Sequence, residues 1–408
     1  TEIYTLSLRD ALPISISDKV DSWIGKETII AIVGQRRVGK SYILKDFVNR
    51  HVGETDANII YIDKEKRRFK FITDADTLDA YINEHYQEKK HNYILIDEVQ
   101  DINGWEHVVR SLRTEENTDV IVTGSNSRML SGELGTLLGG RYVEVMVQSL
   151  SYQEFLIFHD LPDGDEALNT YMNYGGLPGL RVIGLGDDEQ VWEYLRNIFN
   201  TVILKDVIER HNIRNISFMN NLVAFLADTT GKINSATSIS KYMKSQNQDI
   251  SAKIILEYTS HFIEAFLING VKRYDIHGKK IFESNQKVYF GDVGVRNLIA
   301  GSTREQDIEK VMENMVYQQL LRLGYQVFVG ELKAGEIDFV CRKSGEVRYV
   351  QVAYLISDDD TRRREFGRLQ DIKDNYPKYV ISMTPLVTVR DYEGITHLGL
   401  RKFLRDVF

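Results

Sequence analysis

The sequence holds a single cysteine, Cys341, in 408 residues. No disulfide can close within the chain, and a reducing compartment, the cytosol, is the expected setting. Only five prolines punctuate it. No apolar run approaches the roughly 18 residues that a membrane helix needs, so no membrane span is expected. Repeats and low-complexity tracts are missing as well. Positive charge is not in excess: 51 Lys and Arg stand against 59 Asp and Glu, a net charge of −8, with a pI near 5.7. That balance argues against an evenly basic nucleic-acid binder and leaves room only for a local basic face. What is present is ordinary for a globular protein, 43% apolar and 27% charged. The length exceeds one hydrophobic core, so two or three domains are expected.

The first fourteen residues stand apart. "YTLSLRDALPIS" resembles the translation of a common sequencing-adapter fragment and lacks the basic start and apolar stretch of a secretory signal. Residues 1–14 are expected to be artefactual or disordered. From Thr28 the pattern alternates: "TIIAIV" (28–33), "NIIYID" (58–63), "YILID" (93–97), "DVIVTG" (119–124) and "RYVEVMV" (141–147) read as short strands, with helical segments between most of them. Such apolar runs separated by helices predict an α/β unit with a mainly parallel sheet covered on both faces. This unit is expected over 15–160.

"GQRRVGKS" (34–41) sits between the first strand and a helix and matches the phosphate-loop pattern. Gly34 and Gly39 permit the backbone angles that aim successive N–H groups of Gln35, Arg36, Arg37 and Val38 at phosphate oxygens, and the helix N-terminus adds positive potential. Lys40 is placed to reach the β- and γ-phosphates of ATP, and the Ser41 hydroxyl to ligate Mg²⁺. "YILIDE" (93–98) supplies the usual companion, with Asp97 holding Mg²⁺ through water and Glu98 polarising the attacking water. After the next strand, Ser125 and Asn126 of "VTGSNS" are candidates for sensing the γ-phosphate; a plain turn explains them about as well. Arg141 opens the following strand after "LLGG", the topological slot of an arginine finger in AAA+ ATPases, with a surface arginine as the alternative.

The segments "GQRRVGKS", "YILIDEVQ", "TGSNS", "GRYVEV", "LSYQEF", "GGLP", "YVQVAYLI" and "REFGRLQDIKDNYPKYVIS" together resemble a prokaryotic AAA+ ATPase family. Members of that family end in a domain of unknown function with a restriction-endonuclease-like core. The resemblance implies an ATP-dependent enzyme whose nucleotide state acts on appended modules.

Those modules have their own signatures. Residues 161–215 read as a helical lid, broken at "YGGLPG" (174–179). Residues 216–300 show three helical stretches followed by a two-stranded ribbon, which suggests a winged helix. Between 232 and 280 eight Lys or Arg stand against four Asp or Glu. Lys272, Arg273, Lys279 and Lys280 fall on the ribbon, where DNA phosphates are a candidate partner and packing or subunit contact is the alternative. Residues 301–408 read as a PD-(D/E)xK-like α/β unit. There Asp338 and Glu313 supply acids, whereas Gln351 and Ala353 stand where a nuclease needs a carboxylate and a lysine. Lys333 is a candidate replacement. An inactive nuclease-like site is expected, and a homo-oligomer is a candidate assembly.

Overall fold

The computed structural model describes residues 14–127, 138–301, 304–333 and 335–406. Residues 1–13 of the doubtful N-terminus lie outside the described residues.

Five strands, β1 (Ile29–Val33), β2 (Ala57–Asp63), β3 (His91–Asp97), β4 (Thr118–Gly124) and β5 (Tyr142–Met146), form one parallel sheet in the order β2-β3-β4-β1-β5. Each lies within about two residues of its expected run. β1 shows why. All five of its residues are buried, with Ile30 and Ile32 in one core and Ile29, Ala31 and Val33 in the other. That is the two-residue alternation of a strand covered on both faces. The register aligns Val33 with Gly124 and Met146, and Asp63 with Asp97. The carboxyl ends of all five strands therefore share one edge, where ligands of open α/β sheets bind.

Helices Tyr152–His159, Asp165–Tyr174 and Asp188–Thr201 follow, and the last runs into a π-helical segment, Val202–Glu209. The break at 174–179 is held by Asp292, which accepts hydrogen bonds from Gly176 N at 2.9 Å and Gly294 N at 2.9 Å. Helices Ile216–Asp228, Ala236–Ser245 and Ala252–Glu264 then lead through the short β6 (Ile233–Asn234) to a hairpin of β7 (Ile268–Asp275) and β8 (Lys280–Phe290). The core on one side of β1 continues through Leu195 and Val202 into Phe218, Phe262 and Val288, so the helical module packs on the sheet domain without an apolar gap.

The hairpin does not stand alone as a wing. β7 pairs in parallel with β9 (Gln326–Leu332), and the sheet continues through β10 (Gly335–Lys343), β11 (Glu346–Ala353), β12 (Lys378–Ser382), β14 (Ile395–Gly399) and β13 (Val389–Tyr392). Nine strands thus form a single layer in the order β13-β14-β12-β11-β10-β9-β7-β8-β6, and that layer crosses position 300. Helix Arg304–Arg322 covers one face with Met312, Val316 and Leu320, and helix Asp359–Gln370 covers the other with Phe366 and Leu369. Among the described residues no helix is long and apolar enough to cross a membrane.

Candidate functional site

At the carboxyl edge of the five-stranded sheet, the chain turns from β1 into helix Lys40–His51 through residues 34–39. Gly34 must be a glycine, because a Cβ there would lie 2.1 Å from the carbonyl oxygen of Val147. Arg37 and Gly39 both take left-handed angles, φ 73° and 107°. A loop with such angles that opens a helix is the geometry by which backbone amides can be turned to an anion at the helix N-terminus. Lys40 folds back over the loop, donating to Gly34 O at 2.9 Å and Gln35 O at 3.0 Å, with Glu98 Oε1 at 4.0 Å. Burial holds its pKa below the ordinary lysine value in spite of Glu98.

Asp97 and Glu98 arrive at the end of β3, and Thr123 of β4 fastens both. Its hydroxyl donates to Asp97 Oδ1 at 2.5 Å and accepts from Glu98 N at 3.0 Å. Glu98 itself sits at φ 58°, a left-handed angle unusual for a side chain this long. Burial opposes its charge, but Lys40 and Arg36 prevail and hold its pKa below the usual glutamate value. Glu98 is ionised at neutral pH. Asp97 lies in contact with Ser41 and Tyr61, and its pKa is raised chiefly by burial.

Ser125 and Asn126 are both buried at the end of β4. Ser125 donates to Asp206 Oδ1 at 3.2 Å. The sequence reading missed Asp206. It lies on the π-helical segment, is 1% exposed, and takes Arg36 in a two-point pair at 2.9 and 3.0 Å, with Arg210 at 3.3 Å. These contacts tie the phosphate loop to the π-helical segment. Burial opposes the Arg36 charge, and Asp206 more than offsets it. Asp206→Asn removes the buried countercharge and should lower stability by about 2 kcal/mol. ATP should restore more of the melting temperature in this variant than in the parent, since phosphate oxygens offer Arg36 a new partner. Equal melting of the two proteins without ligand would refute the clamp.

Arg36, Arg37, Lys40, Lys45 and Arg181 line a cavity of about 590 Å³ together with Glu65 and Glu98. Asp206 takes Arg36 and Asp160 takes Arg181, which leaves Arg37, Lys40 and Lys45 against Glu65 and Glu98, a lining that suits a polyanion. Phe158, Val182, Ile183 and Tyr194, from the helical segments after β5, add apolar surface to the lining. Of the expected site residues, the cavity brings together Arg36, Arg37, Gly39, Lys40, Ser41 and Glu98. Gln35 instead faces a second cleft behind the loop, and Val38 is buried in the core. Arg141 is exposed at the start of β5 and does not line the cavity of its own chain.

A second charged cluster lies between β8, β10 and helix Arg304–Arg322. Lys287, 2% exposed, is 2.9 Å from Glu313 Oε1 and 3.5 Å from Asp338 Oδ1, and also contacts Glu336. Asp338 Oδ2 accepts from Val352 N at 2.9 Å, while Gln351 accepts from Asp338 N at 3.3 Å and donates to Glu365 at 3.2 Å. Lys333 is exposed at the turn after β9. The lysine of this cluster comes from the hairpin instead. His211, His261 and Glu264 form a third group, but the two imidazoles stack at 3.7 Å and 17°. Rings sharing one metal ion at about 2.0–2.1 Å radiate apart from it, so this geometry is packing.

Residues 26–156 match the family model of an AAA domain, and residues 165–306 match a domain of unknown function, DUF8612. An uncharacterised protein of Haemophilus influenzae is 35% identical over 362 residues, covering 87% of this chain and 88% of the relative. An uncharacterised protein of Methanocaldococcus jannaschii is 28% identical over 362 residues, covering 85% and 79%. A Walker-type ATPase of Pyrococcus abyssi superposes with a TM-score of 0.52 at 14% identity, over 71% of this chain and 95% of that one. This last likeness is one of fold.

Proposed function

Because the chain belongs to a prokaryotic AAA+ ATPase family that carries a domain of unknown function, we propose that it hydrolyses ATP with Mg²⁺ and that its nucleotide state rearranges the appended modules. The observation that carries this reading is the cavity itself: a glycine-shaped loop and a cation-rich lining stand beside an ionised Glu98 that Thr123 holds in place. The residues fit the nucleotide. Gly34 to Ser41 would wrap the phosphates, with Lys40 and Arg36 turning their charge to them. Phe158, Val182, Ile183 and Tyr194 offer an apolar wall to the base. Ser41 and Asp97, already in contact, would hold Mg²⁺. When bound, that ion offsets phosphate charge. Glu98 accepts the proton of the attacking water, and Lys40 and Arg36, acting against burial, keep it an ionised carboxylate that can do so.

The helical module and its hairpin form a winged helix in this reading, and the strands beyond 325 a PD-(D/E)xK-like core without cleavage activity. DNA is the proposed partner of the winged helix. Two observations favour a second reading, a nucleotide-dependent switch that binds protein. Arg273 of the hairpin pairs with Glu331 at 2.5 Å and is drawn away from any phosphate. Helix Ala252–Glu264 meanwhile exposes Ile254 and Leu256. Hydrolysis of ATP with and without duplex DNA, over a range of salt, separates the two. The DNA reading expects a rate that rises with DNA, loses the stimulation as salt screens phosphate contacts, and leaves the DNA uncut in Mg²⁺ or Mn²⁺. A rate indifferent to DNA favours the switch, and absence of hydrolysis under every condition removes both.

A further inference from the structure

Lys287 is a cation with more acids around it than its charge can balance. Its ammonium lies among Glu313 of helix Arg304–Arg322 and Glu336 and Asp338 of β10, and Tyr289 donates to the same Glu313. Burial works against the ammonium, yet Glu313, Asp338 and Glu336 together hold its pKa above the ordinary lysine value. Burial likewise pushes Glu313 up to about 7, against the pull of Lys287.

We infer that Lys287 is the resident cation of a carboxylate seat that would otherwise take a divalent metal ion, and that removing the ammonium opens the seat to Mg²⁺ or Mn²⁺. An ammonium presents three donors, one for each carboxylate. With Nζ 2.9 Å from Glu313 and 3.5 Å from Asp338, nitrogen fills the point on which the acids converge. A metal ion of the kind an active nuclease of this pattern would hold does not fit beside it. Three carboxylates from two elements are, however, the ligand type that hard cations prefer, and two positive charges balance them better than one. The lysine is delivered by β8, a strand of the hairpin. The same cluster thereby ties the hairpin to the C-terminal strands through charge as well as through backbone pairing. The assignment deepens the reading of a non-cleaving core and does not depend on ATP hydrolysis.

Metal binding, not DNA cleavage, tests it. The full chain is titrated with Mn²⁺ without nucleotide, in an Asp97→Asn background that silences the phosphate-loop site, and free Mn²⁺ is followed by its EPR signal. The background protein should leave Mn²⁺ free at concentrations where the added Lys287→Met change takes up one ion per chain. Asp338→Asn on top of Lys287→Met should abolish that uptake. In melting curves, Mn²⁺ should stabilise the Lys287→Met protein and leave the lysine-bearing one unmoved. If Lys287→Met does not fold in buffer, Mn²⁺ or the charge-reducing Glu336→Gln should restore folding. A folded Lys287→Met protein without added Mn²⁺ uptake overturns the inference. So does an unfolded one that neither treatment restores, or a lysine-bearing protein whose Asp338 already binds Mn²⁺ as tightly.

Discussion

Glu98→Gln should bind ATP as the parent does and turn it over ~10²–10⁴ more slowly, the range that positioned proton transfer contributes. The amide fills the same space and can keep the left-handed backbone, because the anchoring bond from Glu98 N to Thr123 belongs to the main chain. It has no basic oxygen to take the proton. Lys40→Ala should fail earlier, at binding, since the cavity loses the ammonium that lies over the loop carbonyls. Fluorescent-nucleotide binding measured beside phosphate release distinguishes the two defects. Unchanged hydrolysis in Glu98→Gln would remove this residue from the chemistry.

Arg141→Ala carries the other large expectation. Arg141 is exposed and lies off the cavity of its own chain, which is the placement that a residue serving a neighbouring subunit requires. A finger supplied in trans contributes ~10³–10⁵ in rate. The loss should therefore be of that order, and the parent's rate per chain should climb with protein concentration. Mixing Arg141→Ala with Glu98→Gln should recover activity, because the first still offers an intact cavity and the second an intact arginine. A loss below about fivefold, with no recovery on mixing, would make Arg141 a structural arginine.

The parallel sheet could be read from the chain because its central strands are short apolar runs whose two faces are both buried, as in "TIIAIV". The phosphate loop was legible because its glycines and lysine are adjacent in sequence. Thr123, Asp206 and Lys287 were not legible, and for a common reason: each meets its partner across a long separation, 26, 170 and 51 residues. Each also has an ordinary local explanation. Thr123 reads as one more β-branched strand residue, and Asp206 as the polar face of a helix. Lys287 reads as a solvent-facing residue of an alternating hairpin, yet Lys287 through Phe290 are all buried. That burial follows from the parallel pairing of β7 with β9, which brings the hairpin inside a larger sheet and which no local pattern announces.

β8 also has a mechanical meaning. Lys287 and Gly291 are four residues apart, about 13 Å of extended chain. One end stands in the acid cluster. At the other, Gly291 packs so closely on the phosphate loop that a Cβ there would lie 2.8 Å from Gln35 Oε1, and the next residue, Asp292, accepts from Gly176 N at the helix break. The strand is a short stiff rod with a bearing at each end. Near Lys287 both of its edges are paired, to Val271 of β7 and Ile233 of β6, and a slip of one residue would turn the lysine to the opposite face. Axial travel is therefore confined to less than one residue step, about 3.3 Å. A displacement passed along β8 from the phosphate loop would reach the acid cluster within that range, and pairing on both edges opposes a swing of the hairpin away from its sheet.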